Sequence, residues 1–268
     1  MQIHPFLILL TLATSLLLSA SGRPIQRELL QVPSRTGVLQ QVLLITESTS
    51  PKAVALMFPG GAGYVGLGRK SMEAVFKPQG NFLIRAADQF LSPDLAIAIL
   101  DCPTDQSNGM DDGFRASADH AADVKAVMDL LHARFKELKV FLVGTSRGTV
   151  SAAYAGEALG KEVDGIVLTS SVFNANKKYM GLSLFPFERL KAPLLLVHHA
   201  EDGCPVCPYG KAVKLKEKQA LITVRGSIEP ESGPCDPLSN HGYFGREAQV
   251  AAAVRGWILG QPFATDIP

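Results

Sequence analysis

The sequence predicts an α/β architecture, with a mostly parallel central sheet and helices on both faces. Short runs rich in Val, Ile and Leu alternate with longer helical patterns along nearly the whole chain. The inner runs, such as Leu194-Leu195-Leu196-Val197, are apolar without alternation, as strands buried on both faces are. Of the 268 residues, 47% are hydrophobic and 19% charged, enough apolar material for one large core.

Taken in order, residues 38–46 read as an early strand or hairpin, and strands follow at 54–58, 95–100, 140–143, 165–169, 194–198 and 221–224. Helical patterns lie between them at 81–90, 116–135, 146–159, 209–218 and 245–259. The last of these carries the only tryptophan, Trp257, read as a packing residue. Neither an internal repeat nor a second domain is visible, so residues 23–268 are expected to form one domain. The stretch 172–192, where a cap over a site would be inserted, has room only for a minimal lid; Pro186 and Pro193 bracket a short piece of it, and Lys177 and Lys178 read as solvated charges.

Residues 1–22 differ from the rest. The run 6–18 is almost wholly apolar and is followed by Ser19, Ala20, Ser21 and Gly22, which is the pattern of a secretory signal peptide. A membrane span normally needs about 20 apolar residues, more than this run supplies. The expectation is therefore cleavage between Ala20 and Gly22, export to the periplasm or beyond, and no stable membrane anchor. With 26 basic and 25 acidic residues the net charge is +1, which gives no general attraction for nucleic acid and points to a small-molecule partner. Oligomeric state is not legible. In an oxidising compartment Cys102, Cys204, Cys207 and Cys235 are disulfide candidates. The C-x-x-C spacing of Cys204 and Cys207 lacks the helix-start context of a redox pair and the second clustered pair that a zinc site would need, so no metal is expected.

The strongest chemical signal is Gly144-Thr145-Ser146-Arg147-Gly148, a G-x-S-x-G placed directly after a strand and before an alanine-rich helix. A sharp turn there exposes a serine hydroxyl, and the helix start, with the Arg147 N–H, favours developing negative charge. A bare G-x-S-x-G is also compatible with a tight turn; its place in the strand–helix alternation is what favours a nucleophile. Such a serine needs a base, and the base needs a carboxylate. Further along come Ala200-Glu201-Asp202-Gly203, after a strand, and Ser239-Asn240-His241-Gly242, before the last helix, in the order nucleophile, acid, base. His4 lies in the leader, His120 and His132 lie on a long helix, and His198 and His199 end a strand, one suited to the core and one to the pocket wall. His241, in a glycine-containing loop, is the best base. The acid candidates rank Asp202, Glu201, Asp101. Each alone is also compatible with a turn carboxylate. Pro59-Gly60-Gly61-Ala62-Gly63, after another strand, lets backbone N–H groups approach a substrate oxygen, with Gly61 or Ala62 beside Arg147 as donors. No phosphate-binding glycine motif is present.

These residues resemble the α/β-hydrolase superfamily over about residues 38–259, through Phe58-Pro59-Gly60-Gly61, the G-x-S-x-G, Asp202 and His241. The resemblance implies an eight-stranded, mostly parallel sheet, an acyl-enzyme on Ser146 and no cofactor. Pro59 departs from the pattern, since lipases and esterases of this type often carry His there. A bridge between Cys204 and Cys235 would tie the acid and base loops together and is the first expectation. Cys102 with Cys207 is the second, unless both stay free, and Cys207 with Cys235 is an alternative. The function expected is cleavage of carboxylic esters with small or accessible acyl groups. The alternatives are a peptidase or amidase with the same triad, a non-catalytic binding protein of the same fold, and a hydroxynitrile lyase.

Overall fold

The computed structural model describes residues 24–77, 80–216 and 219–268, so the expected signal peptide lies outside the described residues. The chain begins with an antiparallel hairpin, β1 (Gln26–Arg35) and β2 (Val38–Thr46), and enters the parallel region with β3 (Ala53–Phe58). Three one-turn helices follow, α1 (Met72–Val75), α2 (Phe82–Arg85) and α3 (Ala87–Phe90), before β4 (Leu95–Leu100). Next come α4 (Asp112–Arg115), the long α5 (Ala118–Arg134), β5 (Lys139–Thr145) and α6 (Gly148–Leu159). The chain closes with β6 (Gly165–Thr169), β7 (Leu194–His199), α7 (Tyr209–Leu215), β8 (Ala220–Val224), α8 (Glu247–Ile258) and β9 (Asp266–Ile267).

The strands form one nine-stranded sheet in the order β1-β2-β4-β3-β5-β6-β7-β8-β9. Only the β1–β2 and β2–β4 pairings are antiparallel. The expected eight strands are corrected to nine. Two of the nine, β1 and β9, carry no clear strand pattern in the sequence. β1 exposes or half-buries most of its residues, including Arg27, Glu28 and Arg35, so its apolar alternation is faint. β9 is only two residues long. The expected helix 81–90 is two short helices, because Ala86 (φ −96°, ψ 3°) leaves the helical path between them.

Successive residues of a strand face opposite sides, and both sides are dry here. In β3, Ala55 and Met57 join one apolar layer with Phe82, Phe90, Val250 and Val254, while Val54, Leu56 and Phe58 join the other with Val127, Leu131, Val150 and Ala153. Helices α1, α2, α3 and α8 thus cover one face, and α5, α6 and α7 the other. Trp257 packs edge-on against Phe141, as a structural residue. The stretch 172–192 contains one 3-10 turn, Phe187–Arg189, and no other helix. No helix among the described residues is long and apolar enough to cross a membrane.

The chain leaves β3 toward β4 on one side and returns to β5 on the other, so the strand order reverses between β3 and β5, where Phe58 pairs with Gly144. A crevice opens beyond the carboxyl ends of strands at such a point. The approach there is tight: a Cβ on Gly148 would collide with the Phe58 carbonyl, and one on Gly144 with the Gly148 carbonyl. Gly148→Ala is therefore expected to cost about 3 kcal/mol through overpacking of backbone against backbone. Urea unfolding reads this as a lowered midpoint with an unchanged slope.

Candidate active site

Ser146 sits in the turn between β5 and α6 with φ +51°, a left-handed conformation that side chains other than glycine adopt only under constraint. The constraint is visible in its backbone. The Ser146 N–H donates to the Thr169 carbonyl at 3.0 Å, and the Ser146 carbonyl accepts from the Thr149 N–H at 2.9 Å and the Thr149 hydroxyl at 2.6 Å. The side chain is lifted from the sheet edge into a cavity of about 230 Å³ lined by Gly60, Gly61, Asn81, Ser146, Asp236 and His241 among others.

His241 enters that cavity from a single 3-10 turn between β8 and α8. Its N–H is capped by the Ser239 hydroxyl, and its carbonyl accepts from the Ser170 hydroxyl at 2.7 Å. Ser170 is itself held at φ +46°, its N–H shared between the Val197 carbonyl and Tyr243 Oη. The Tyr243 hydroxyl donates in turn to Val197 O at 2.7 Å. Tyr243 is fully buried, and burial pushes its phenol pKa upward, so it remains a neutral strut joining the ends of β6 and β7 to the histidine turn.

His241 Nδ1 and Asp202 Oδ2 lie 2.9 Å apart, with the Asp202 side chain completely buried. The second Asp202 oxygen accepts from the Cys204 N–H at 2.9 Å. A carboxylate on Nδ1 holds the ring proton on that nitrogen and leaves Nε2 as the acceptor. Nε2 is buried and has no hydrogen-bond partner among the described residues. Ser146 and His241 line the same cavity without a hydrogen bond between them; such contacts often tighten only when substrate binds.

The rival carboxylates are placed elsewhere. Glu201 is exposed, and its main chain rather than its side chain contacts the site, through Asn240 Nδ2 on its carbonyl. Asp101 is buried but accepts four backbone N–H groups, from Val65, Gly66, Leu67 and Cys102, and so fixes the loop after β3. The expectation that His198 or His199 lines the pocket is corrected. Neither borders the cavity: His198 Nε2 accepts from the Ser171 N–H, and His199 Nε2 donates to the Gly226 carbonyl.

Of the two oxyanion donors expected beside Arg147, Gly61 lines the cavity and Ala62 does not. Gly60, which the sequence does not single out, packs against the serine: a Cβ there would come within 2.9 Å of Ser146 Cβ. The Arg147 N–H has no acceptor among the described residues, while its guanidinium turns away to Asp112 Oδ1 at 2.8 Å and the Gly61 carbonyl at 3.1 Å. Arg115, fully buried, donates to the same Gly61 carbonyl at 3.1 Å and to Ser151. Burial, then the Arg147 charge, lowers its pKa to about 10. Two guanidiniums on one carbonyl oxygen fix the orientation of the Gly61–Ala62 peptide. Asn81 was legible only as a helix start. It caps α2 with its Oδ1, and its amide nitrogen would lie 3.2 Å from a Cβ on Gly60.

Cys204 and Cys235 form a disulfide, and Cys102 and Cys207 are free and buried, so the second expected bridge is absent. Cys204, Cys207 and His241 nevertheless bring potential ligand atoms within 4.8 Å of one another. His241 is a single added partner, not a second clustered pair. With Cys204 in the bridge, the set does not fit a metal ion.

Two buried histidines make stability acid-sensitive. Burial lowers His198 to about 4 and His120, packed between Phe58 and Phe114, to about 3, from an ordinary value of 6.5. Above pH 6.5 neither folded nor unfolded chain is charged at these rings. Below it the unfolded chain takes up protons that the folded one resists, so stability falls as pH drops from about 6.5 toward about 3. Urea midpoints over this range are expected to decline, and to decline less in His120→Leu.

The family model described as "serine aminopeptidase, S33" matches residues 104–229, a little under half of the chain. No curated protein matches the chain significantly. Among solved structures it is similar to an α/β serine hydrolase without a lid from Xanthomonas campestris, at 16% identity over 88% of this chain and 97% of that one, with a TM-score of 0.55. It is also similar to Est1E from Butyrivibrio proteoclasticus, at 13% identity over 87% and 98% of the two chains, TM-score 0.56. A prolyl endopeptidase structure aligns at 11% identity over 89% of this chain but 39% of the other, TM-score 0.53. Identities this low carry the fold and not the substrate. Its sheet order, its strand–turn–helix at Ser146 and these likenesses show that the chain has the α/β-hydrolase fold.

Proposed function

We propose that the protein is a serine hydrolase that cleaves carboxylic esters with small or accessible acyl groups through an acyl-enzyme on Ser146. The observation that carries this reading is the 2.9 Å contact of buried Asp202 with His241 Nδ1, on a histidine that shares its cavity with a serine held at φ +51°. His241 Nε2 takes the Ser146 proton as the hydroxyl attacks the carbonyl and returns it to the leaving alcohol. Asp202 orients the ring and stabilises the imidazolium. The N–H groups of Arg147 and Gly61 hold the oxyanion, and water then frees the acid by the same steps in reverse. The site needs no cofactor for this chemistry. The cavity volume and the near absence of helix in 172–192 favour short acyl groups. We place the protein outside the cytosol, a reading supported by the Cys204–Cys235 bridge and the apolar leader.

The match to a serine aminopeptidase model favours a second reading, an amidase or peptidase on the same triad. A panel of p-nitrophenyl esters of rising chain length, run beside aminoacyl anilides, separates the two. The ester reading expects turnover of acetyl and butyryl esters with anilides slower by a hundredfold or more; the reverse order supports the peptidase. Ser146→Ala and His241→Ala are each expected to lower kcat by at least about 10³-fold. Asp202→Asn should lower it on the order of 10⁴-fold, as a wrong ring tautomer does. Glu201→Gln should stay within a few-fold of the parent.

A further inference from the structure

We propose that Cys204, Cys207 and Cys235 form an intramolecular thiol–disulfide exchange centre, in which the Cys207 sulfur displaces Cys235 from Cys204 and leaves a Cys204–Cys207 bridge. Three observations support it. The Cys207 sulfur lies within 4.8 Å of the Cys204 sulfur, itself already oxidised in the bridge to Cys235. The Cys207 N–H donates to the Cys204 carbonyl at 2.9 Å, so the C-x-x-C is folded into a turn that keeps its two ends together. The two possible leaving sulfurs differ in environment: Cys204 is buried with Cys207 and Val172, whereas Cys235 is exposed and lines the catalytic cavity.

The step balances within the chain. The Cys207 thiol gives its proton to water, its thiolate forms a bond to Cys204 Sγ, and the Cys204–Cys235 bond breaks. Cys235 leaves with the electron pair and takes a proton from water, so no outside oxidant or reductant is consumed. Exchange rates rise with the thiolate fraction of the attacker and with the stability of the leaving thiolate. Solvent at Cys235 favours departure. At Cys207, burial and then the Asp202 charge push the thiol pKa upward, so exchange is slow at neutral pH and quickens as pH rises.

The consequence falls on the cavity wall. In the observed state Cys235, Asp236 and Pro237 are tied covalently to the acid loop two residues after Asp202. After exchange they are held only through weaker contacts, such as Arg85 Nη2 on the Pro237 carbonyl at 3.1 Å. The centre thus has a stapled and a released state of the same wall, at one oxidation level.

Disulfide mapping tests this without any activity assay, so its outcome is separable from that of the proposed hydrolysis. Full-length protein purified without reductant is held at set values between about pH 6 and about pH 9, quenched in acid, and its thiols blocked with N-ethylmaleimide in denaturant. Digestion without reduction and mass spectrometry then locate bridges and blocked thiols. The expected result is a Cys204–Cys207 bridge with blocked Cys235, in a fraction that grows with pH and is missing in Cys207→Ser. A Cys204–Cys235 bridge alone at every pH, with the block always on Cys207, overturns the proposal. Cys235→Ser gives an independent arm: treated with oxidised glutathione, it is expected to close a Cys204–Cys207 bridge, and persistence of two thiols or of a mixed glutathione disulfide contradicts the centre.

Discussion

The first turn of α6 rests directly on the carbonyl end of β3. At Gly148 there is no room for a side chain, because the Phe58 carbonyl occupies the place a Cβ would take. This contact brings the ends of the two strands that flank the reversal of strand order to within backbone distance of each other. With β5 and α6 so close, the two residues between them must turn sharply, and Ser146 takes a positive φ to do so. The same closeness sets Gly60 against Ser146 and leaves the Arg147 N–H at the head of the helix. Nucleophile position and oxyanion geometry are therefore two results of one packing constraint, on the reading that Ser146 is the nucleophile.

The histidine side of the cavity is built differently. A Cβ on Gly242 would collide with the Pro237 carbonyl, so this turn too rests on a close backbone approach, but side-chain hydrogen bonds add to it, from Ser170 on the His241 carbonyl, Ser239 on its N–H and Asp202 on its ring. Tyr243 ties this group to the ends of β6 and β7 from a fully buried position. The hydrogen bonds among Ser170, Tyr243, Val197 and the His241 carbonyl are all made, which fixes the turn relative to the strand ends. The Cys204–Cys235 bridge adds a covalent tie between the loop after Asp202 and the segment before His241.

Much of this was legible because strong local signals coincide with the strands. Runs buried on both faces, such as residues 194–198, announce themselves, and the G-x-S-x-G after residues 140–143 marks its turn through glycines that collision demands. What was not legible depends on partners distant in sequence. β1 is half-exposed and charged, and its strand character comes from pairing with β2. Gly61 and Ala62 are equally placed as donors in the sequence, and only the lining of the cavity distinguishes them. Arg115 has no local signal that marks it, and it is buried against the Gly61 carbonyl 54 residues away. Asp202 and Glu201 are adjacent acids, and the direction of each side chain, set by the turn after β7, separates them: Asp202 is buried on His241 and Glu201 is exposed.

The proposed role of Ser146 as nucleophile is tested by covalent labelling of the folded protein. Incubation with a fluorophosphonate, followed by intact-mass measurement and peptide mapping, is predicted to give one adduct per chain, on Ser146, lost when the protein is unfolded in urea before exposure or when His241 is replaced by Ala. A folded protein that takes up no label, or takes it up elsewhere with Ser146 unmodified, would contradict the account.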